Sequence, residues 1–281
     1  SYAEAPGPVA ALFAIMTKVG AYAIIWVYAL LFPPELAATA DLHTIWLLPA
    51  ALLSLALGMV GVLAAKQLDR LVAFSVIGSM GMVMVAIALF TPEGIAAALY
   101  YIVHSTLAAG ALFLICDLAR AGRANLDLTA QPQVAGARLT SVMFFVAAIA
   151  MVGVPPLSGF IGKLLIMDAA VQNPYMVWIW AVILGASLLS LVGFGRAGST
   201  LFWKARAVPV EEDATPTAAS GVLCYVGVGG LLALLVAHTL LAGPATAYAT
   251  AISKQLFGPE RYLTTVLETP GQLSDGKEED H

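Results

Sequence analysis

The sequence is poor in charge: Lys, Arg, Asp and Glu make up only 11% of its 281 residues, whereas 60% are hydrophobic. A soluble domain carries about 25% charged residues, so this composition excludes an ordinary soluble protein. The mean hydropathy of +0.90 points the same way. The formal net charge of −4 carries little information, because the acidic residues concentrate in the C-terminal tail. We therefore predict an all-α polytopic membrane protein.

Cysteine is also scarce, and both Cys116 and Cys224 lie in apolar runs. We interpret them as small core residues rather than as a disulfide or a metal site. The sequence has no Walker motif, no metal-ligand cluster and no nucleophile–base spacing. Its one G-x-G-x-x-G match, at 193–198, ends an apolar helix instead of following a strand. We therefore expect no cofactor, no nucleic-acid partner and no soluble-type enzyme activity, and we predict a transporter subunit.

What the sequence has in plenty is long apolar runs. About 20 helical residues cross the core of a bilayer. On this basis we predict a transmembrane bundle over residues 1–241, with about seven spans at 8–31, 45–65, 71–90, 95–118, 139–169, 176–203 and 220–241. Residues 242–281 are predicted to form an external interfacial helix, with Tyr248, Ile252 and Leu256 on one face, and then a polar tail from 269 that we expect to be disordered.

The loops between the spans predict an orientation. Basic residues occupy alternate loops: Lys66 and Arg70, then Arg120, Arg123 and Arg138, then Lys204 and Arg206. The intervening loops at 32–44, 91–94 and 172–175 contain no Lys or Arg. The positive-inside rule therefore places the basic loops and Ser1 in the cytoplasm and the C-terminal tail outside.

The run at 139–169 is longer than one straight span needs, and its centre is rich in residues that disrupt a helix: Gly153, Pro155, Pro156, Gly159 and Gly162. Proline removes a backbone donor and glycine loosens the chain, so we predict two half-helices with an unwound middle. Such backbone is tolerated at membrane depth only where protein or water covers it. Lys163 is predicted in the first turn of the second half-helix, beside the positive end of that helix's dipole. At that depth we expect a lysine that changes its protonation state.

Two further spans carry titratable residues. Lys18 lies about 15 Å from either end of its span, farther than a lysine side chain can reach toward the surface. It is either an ion-path residue or a structural lysine paired with an acid. His104, followed by Ser105 and Thr106, is either a proton-relay residue or a packing residue. Asp168 is either a group at the outer exit of the ion path or a solvated residue at the end of its helix.

Two other groups receive simpler interpretations. Asp117 and Arg120 lie three residues apart at the end of the fourth predicted span, so we predict an ion pair between them. His238 lies near the outer end of the seventh span, and we assign it no role.

Four segments, in order, resemble the antiporter-like subunits shared by Mrp-type multisubunit cation/proton antiporters and the membrane arm of respiratory complex I. They are 11–23 with Lys18, 68–81, 102–110 with His104, and 153–163 with Lys163. The lysines at 18 and 163 look most similar to the D subunit of the Mrp/Pha antiporters. The resemblance implies the second inverted repeat of such a protein, a Lys18–His104–Lys163 proton relay, and a multi-pass protein of the bacterial inner membrane that exchanges protons for Na⁺ or K⁺.

The family's upstream repeat, with its glutamate–lysine pair, has no counterpart in this sequence. We therefore expect this chain to be part of a longer one and to need the missing N-terminal half and other membrane subunits as partners. Three functions stay open. The chain is a proton-translocating antiporter subunit, a proton-pumping membrane subunit of a complex I-like oxidoreductase or hydrogenase, or a scaffold whose lysines are locked in ion pairs.

Overall fold

The computed structural model describes residues 7–31, 43–121, 123, 125–132, 136–208 and 222–257. Over these residues the chain is helical, and an isolated antiparallel bridge joins Gln67 to Asp127. Several predictions lie outside the described residues: the cytoplasmic Ser1, the external loop at 32–42, the second half of the 204–216 loop, and the polar tail from 269.

Within these ranges the chain forms nine α-helices: α1 (Gly7–Leu31), α2 (Leu48–Ala64), α3 (Leu68–Ala88), α4 (Pro92–Ala121), α5 (Ala137–Val152), α6 (Ser158–Ala169), α7 (Met176–Gly198), α8 (Val222–Leu240) and α9 (Ala242–Phe257). Short π-helical turns precede α2 and follow α7. Among the described residues, five helical segments are long and apolar enough to cross a membrane, and two shorter apolar segments lie in α1 and α5. The predicted all-α membrane fold is confirmed, while the placement of each span in a bilayer stays a prediction.

The break predicted in the fifth span is present. α5 ends at Val152, Gly153 follows with φ +74°, and α6 begins at Ser158, so five residues separate the half-helices. One detail of the prediction is wrong. Lys163 is the sixth residue of α6 and therefore lies in its second turn, because the break extends as far as Leu157.

α4 lies at the centre of the bundle and packs against α1, α3, α5, α6, α8 and α9. Its start is defined locally: Thr91 Oγ1 accepts a hydrogen bond from Gly94 N–H (3.0 Å), and Pro92 occupies the first helical position, where a missing donor is harmless. From there α4 runs through the core with its aromatic residues and His104 buried. From this central position, α4 contacts both halves of the broken span, α5 and α6.

α9 differs from the predicted interfacial helix in its buried face. It begins at Ala242, one residue after α8, and packs on α4. Its buried residues are Ala249 and Ser253, and the Ser253 hydroxyl donates to Pro92 O (2.6 Å), whereas Tyr248 is exposed. The packed face is therefore rotated from the predicted one, because a hydroxyl and a small side chain allow closer approach to α4.

At the predicted cytoplasmic end, Arg120 forms its ion pair with Asp69 on α3 (Nη2 to Oδ2, 3.3 Å). The prediction that paired Arg120 with Asp117 in the same helix did not anticipate this partner, which is 51 residues away in sequence. Arg123 donates to Thr129 O (2.7 Å) and so ties the following loop to the end of α4.

Candidate functional site

Among the described residues, three basic side chains are buried in the interior of the bundle. Lys18 on α1 is 4% exposed, His104 on α4 is fully buried, and Lys163 on α6 is 6% exposed. The helices that carry the two lysines, α1 and α6, both pack against α4, which carries His104.

The Lys163 amine is held at the break by two hydrogen bonds. It donates to Val152 O (2.6 Å), at the carbonyl end of α5, and to Ser187 Oγ (2.7 Å) on α7. The hydroxyl of Ser187 in turn donates to Ile183 O (2.8 Å). The carbonyl end of a helix carries the negative end of its dipole and therefore favours a cation. We expected the helix dipole to act on Lys163 through the start of α6, but the amine reaches the end of α5 instead.

Gly153 makes this geometry possible. Its backbone lies in the left-handed region that glycine adopts at little cost and that ends many helices. A Cβ at this position would lie 2.8 Å from Lys163 Cε and 3.1 Å from Nζ. A glycine is therefore required twice here, for the backbone turn and for the lysine side chain that lies against it.

His104 is joined to the start of α6. Its Nδ1 is hydrogen-bonded to Ser158 Oγ (2.9 Å), while Nε2 has no hydrogen-bond partner among the described residues. A Cβ on Gly159 would lie 2.8 Å from Nε2 and would clash with the carbonyl oxygen of Ala150. Besides its bond to Ser158, the ring also interacts with the backbone carbonyl of Ala150. Imidazole is a group that can pass a proton near neutral pH.

Gly159 and Gly162 form the face of α6 that approaches α4. Gly162 lies against the ring of Tyr101, where a Cβ would be 2.7 Å from Cδ2, and Tyr101 also contacts the His104 ring (centroids 5.4 Å apart). Two glycines three residues apart share one side of a helix. They bring the half-helix close enough to α4 for Ser158 to reach His104.

Lys18 has a different environment. It lies on unbroken α1, which packs against α4 and α3, and within the described ranges its Nζ has no hydrogen-bond partner. A structural lysine paired with an acid was one of the two interpretations of this residue. No acidic side chain among the described residues forms that pair.

The three accessory candidates do not join the site. The Ser105 and Thr106 hydroxyls both donate to Ile102 O, at 3.2 and 2.8 Å, and so are used within α4. Asp168 is exposed near the end of α6. It is five residues beyond Lys163, which turns it about 140° around the helix from that lysine.

Four residues in or beside the site were not singled out from the sequence: Ser158, Ser187, His238, and Thr239, whose Oγ1 accepts a hydrogen bond from Ser158 N–H (2.9 Å). Ser158 offered one usable signal, since it is the first polar residue after the prolines of the break. The other three lie on α7 and α8, and no local pattern links those helices to Lys163 or His104. Among the described residues no cluster of three or more His, Cys, Asp or Glu could hold a metal ion.

The chain is similar in sequence to a known family of membrane proteins. Residues 1–190 match the family described as NADH:quinone oxidoreductase/Mrp antiporter, TM. The D subunit of a probable K⁺/H⁺ antiporter of Rhizobium meliloti (strain 1021) is 31% identical over 96% of this chain and 54% of its own length. The D subunit of a Na⁺/H⁺ antiporter of Bacillus subtilis (strain 168) is 35% identical over 95% of this chain and 53% of its own. The chain spans about half the length of these curated relatives.

Solved structures show the same fold. A chain of the Mrp complex from Dietzia sp. DQ12-45-1b superposes with a TM-score of 0.78 at 21% identity, over 95% of this chain and 56% of that one. The archaeal membrane-bound sulfane sulfur reductase gives 0.81 at 22% identity, over 94% and 52%. Respiratory complex I from Thermus thermophilus gives 0.71 at 25% identity, over 90% and 52%.

Proposed function

The chain belongs to the NADH:quinone oxidoreductase/Mrp antiporter transmembrane family, and from this premise we propose that it carries the second half of the proton pathway of a multisubunit monovalent cation/proton antiporter. The observation that carries the proposal is the group of three buried titratable residues, Lys18, His104 and Lys163, on packed helices around α4. A charged residue at bilayer depth costs about 2.5–3.5 kcal/mol on insertion scales. The cost of placing two lysines at this depth indicates that they serve a function.

Each residue has a distinct role in this proposal. Lys18 is the entry station of this half and receives protons from the part of the protein that corresponds to the family's first repeat. His104 is the middle station, because the ring has one nitrogen bonded to Ser158 and the other without a partner in the described residues. Lys163 is the terminal station, where Val152 O and Ser187 Oγ hold the ammonium until it releases its proton toward the external side.

The names of the relatives support the exchange of protons for Na⁺ or K⁺, and the assemblies of the structural neighbours support other membrane subunits as partners. The basic loops favour a cytoplasmic location for the Lys66 and Lys204 ends of the bundle. The polar C-terminal tail then lies on the external side. The membrane in this proposal is the bacterial inner membrane.

The relay is tested by alanine substitution in the whole complex. Lys18→Ala and Lys163→Ala should each lower cation-driven ΔpH formation in inverted vesicles by at least about tenfold, at normal complex abundance. Lys66→Ala, an exposed lysine, is the control and should keep the normal rate. His104→Ala should have a smaller effect, because bound water can bridge part of the gap. Lys163→Glu should keep partial activity, since a carboxylate can also exchange protons.

Near-normal antiport by both lysine-to-alanine variants would leave a scaffold role for this chain. The alternative function in a complex I-like assembly is supported by the match to complex I from Thermus thermophilus. The subunits that co-purify with this chain distinguish the two functions. Mass spectrometry of the purified complex should find further antiporter subunits. Quinone- or ferredoxin-reactive subunits in their place would indicate that the same relay belongs to a redox-driven pump.

Orientation is tested with single cysteines in a background without Cys116 and Cys224. Tyr175→Cys should react with an impermeant thiol reagent from the external side, and Lys204→Cys from the cytoplasmic side. Both positions are exposed in the structure. The opposite labelling pattern would invert the topology and the direction of proton release.

A further inference from the structure

The half-helix α6 lacks a cap from its own sequence. The first N–H groups of a helix have no partner within the helix, and a polar side chain just before it usually supplies one. In α6 that position is Leu157, which offers no hydrogen-bonding side chain. The N–H of Ser158 donates instead to Thr239 Oγ1 (2.9 Å), on α8, 81 residues later in the sequence.

The orientation of the Thr239 hydroxyl is fixed by a second bond. Its proton is donated to Leu235 O (2.8 Å), one turn earlier in α8. Its oxygen is therefore left as an acceptor for Ser158 N–H. The two polar groups of Ser158 are thus fixed by different helices, since the N–H is bonded to Thr239 and the Oγ to His104.

The neighbouring residue fastens α8 to the helix that carries His104. The His238 ring stacks on Tyr100 with centroids 4.3 Å apart and an angle of 26°, and its Nε2 lies 3.3 Å from Tyr100 O. Tyr100 is four residues before His104, and so lies on the same face of α4. His238 and Thr239 therefore connect, through adjacent positions on α8, the helix of His104 and the start of α6.

We propose that Thr239 is a positioning residue for the proton relay: it caps α6 from α8 and so holds Ser158 against His104, with His238 as the anchor on α4. The proposal rests on the proposed relay function. Without the Thr239 hydroxyl, the first turn of α6 loses its cap and Ser158 is free to turn away from the imidazole. A lost cap shifts such an equilibrium by about fivefold.

The test uses the whole complex in inverted vesicles and the initial rate of cation-driven ΔpH formation. Thr239→Val keeps the shape of the side chain but removes the acceptor, and it should lower the rate about fivefold at normal abundance. Thr239→Ser keeps the hydroxyl and should restore most of the rate. The matched control is Thr250→Val on α9, whose hydroxyl makes the same kind of bond to its own helix, Thr246 O at 2.9 Å; this variant should transport normally.

A double variant separates positioning from general packing. Thr239 acts through Ser158 in this proposal, so Thr239→Val combined with Ser158→Ala should be no slower than the slower single variant. Effects that multiply would overturn the proposal, as would a normal rate for Thr239→Val. If the valine variant does not assemble, Thr239→Ala replaces it with the same expectation, and failure of both to assemble would assign Thr239 to packing alone.

Lys163→Ala is measured in the same series. A normal rate for this variant would defeat the relay itself. Loss of transport by Lys163→Ala together with a normal rate for Thr239→Val would defeat the positioning role and leave the relay standing.

Discussion

The two buried lysines have opposite surroundings. Lys163 lies beside a break in a helix, and its amine donates to a backbone carbonyl and a serine hydroxyl. Lys18 lies on an unbroken helix, and within the part of the chain that the structure describes its amine has no hydrogen-bond partner. Both are almost fully buried, so burial alone does not distinguish them. The protein surrounds the Lys163 amine with its own dipoles, whereas no group among the described residues does this for the Lys18 amine.

This difference indicates why the fifth span is broken. A continuous helix uses its carbonyl groups internally, whereas the end of α5 leaves Val152 O available to Lys163. The break therefore creates a cation site from the backbone without adding an acidic residue. Lys18 has no such site on α1, and we expect its charge to depend on water or on a neighbouring part of the assembly.

The difference between the surroundings of Lys18 and Lys163 is tested most strongly by replacing each lysine with methionine. Methionine keeps much of the side-chain volume and removes the charge. Lys18→Met removes a buried amine that has no hydrogen-bond partner among the described residues, and it should stabilise the complex. Lys163→Met leaves Val152 O without its partner, so it should be less favourable than Lys18→Met by about 3 kcal/mol. The measurement is the thermal unfolding midpoint of each purified complex. Equal shifts for the two variants would show that the hydrogen bonds of Lys163 contribute nothing distinctive.

A smaller effect is expected from Gly153→Ala, which changes the surroundings of Lys163 but not those of Lys18. The left-handed backbone should cost about 1–3 kcal/mol with alanine, and the new Cβ would press on the lysine side chain. Both stability and antiport should fall. Gly195→Ala on α7 is the matched control, because open space surrounds that position, and it should be neutral. A stable and active Gly153→Ala complex would mean that the lysine is not held at the break during transport.

The smallest effect is expected from Ser187→Ala, which removes one of the two acceptors of Lys163. The loss should be about 1 kcal/mol in stability and should lower the antiport rate only a few-fold, because Val152 O remains. Ser141→Ala on α5, whose hydroxyl bonds its own helix at Arg138 O, is the control. A loss as large as that of Lys163→Ala would make Ser187 a station of the pathway and not a support for one.

Features that depend on local chemistry could be predicted from the sequence. Proline removes donors and glycine relaxes the backbone wherever they occur, so the residues at 153–156 predict a break without knowledge of the fold. The long apolar runs predict the helices in the same way. Charged residues inside such runs mark Lys18 and Lys163 as unusual by their position in the sequence alone.

The partners of those residues could not be predicted, because they depend on how helices cross. The acceptor of Lys163 at Val152 is near in sequence, but the angle between α5 and α6 decides whether the amine reaches it. For this reason the sequence pointed to the dipole of the wrong half-helix. The cap from Thr239 is 81 residues from Ser158, and Arg120 is 51 residues from Asp69. No local pattern encodes such distances.

The central position of α4 has a mechanical consequence. A helix packed against α1, α3, α5, α6, α8 and α9 cannot tilt without disturbing them, because protein interiors are close-packed. By contrast, the five residues between α5 and α6 include the exposed Pro155 and Pro156. The bundle thus carries His104 on a helix held by six neighbours, and Lys163 beside a connection that interrupts its span. A small rotation of α6 at this connection would alter the reach of the lysine while the histidine stays in place.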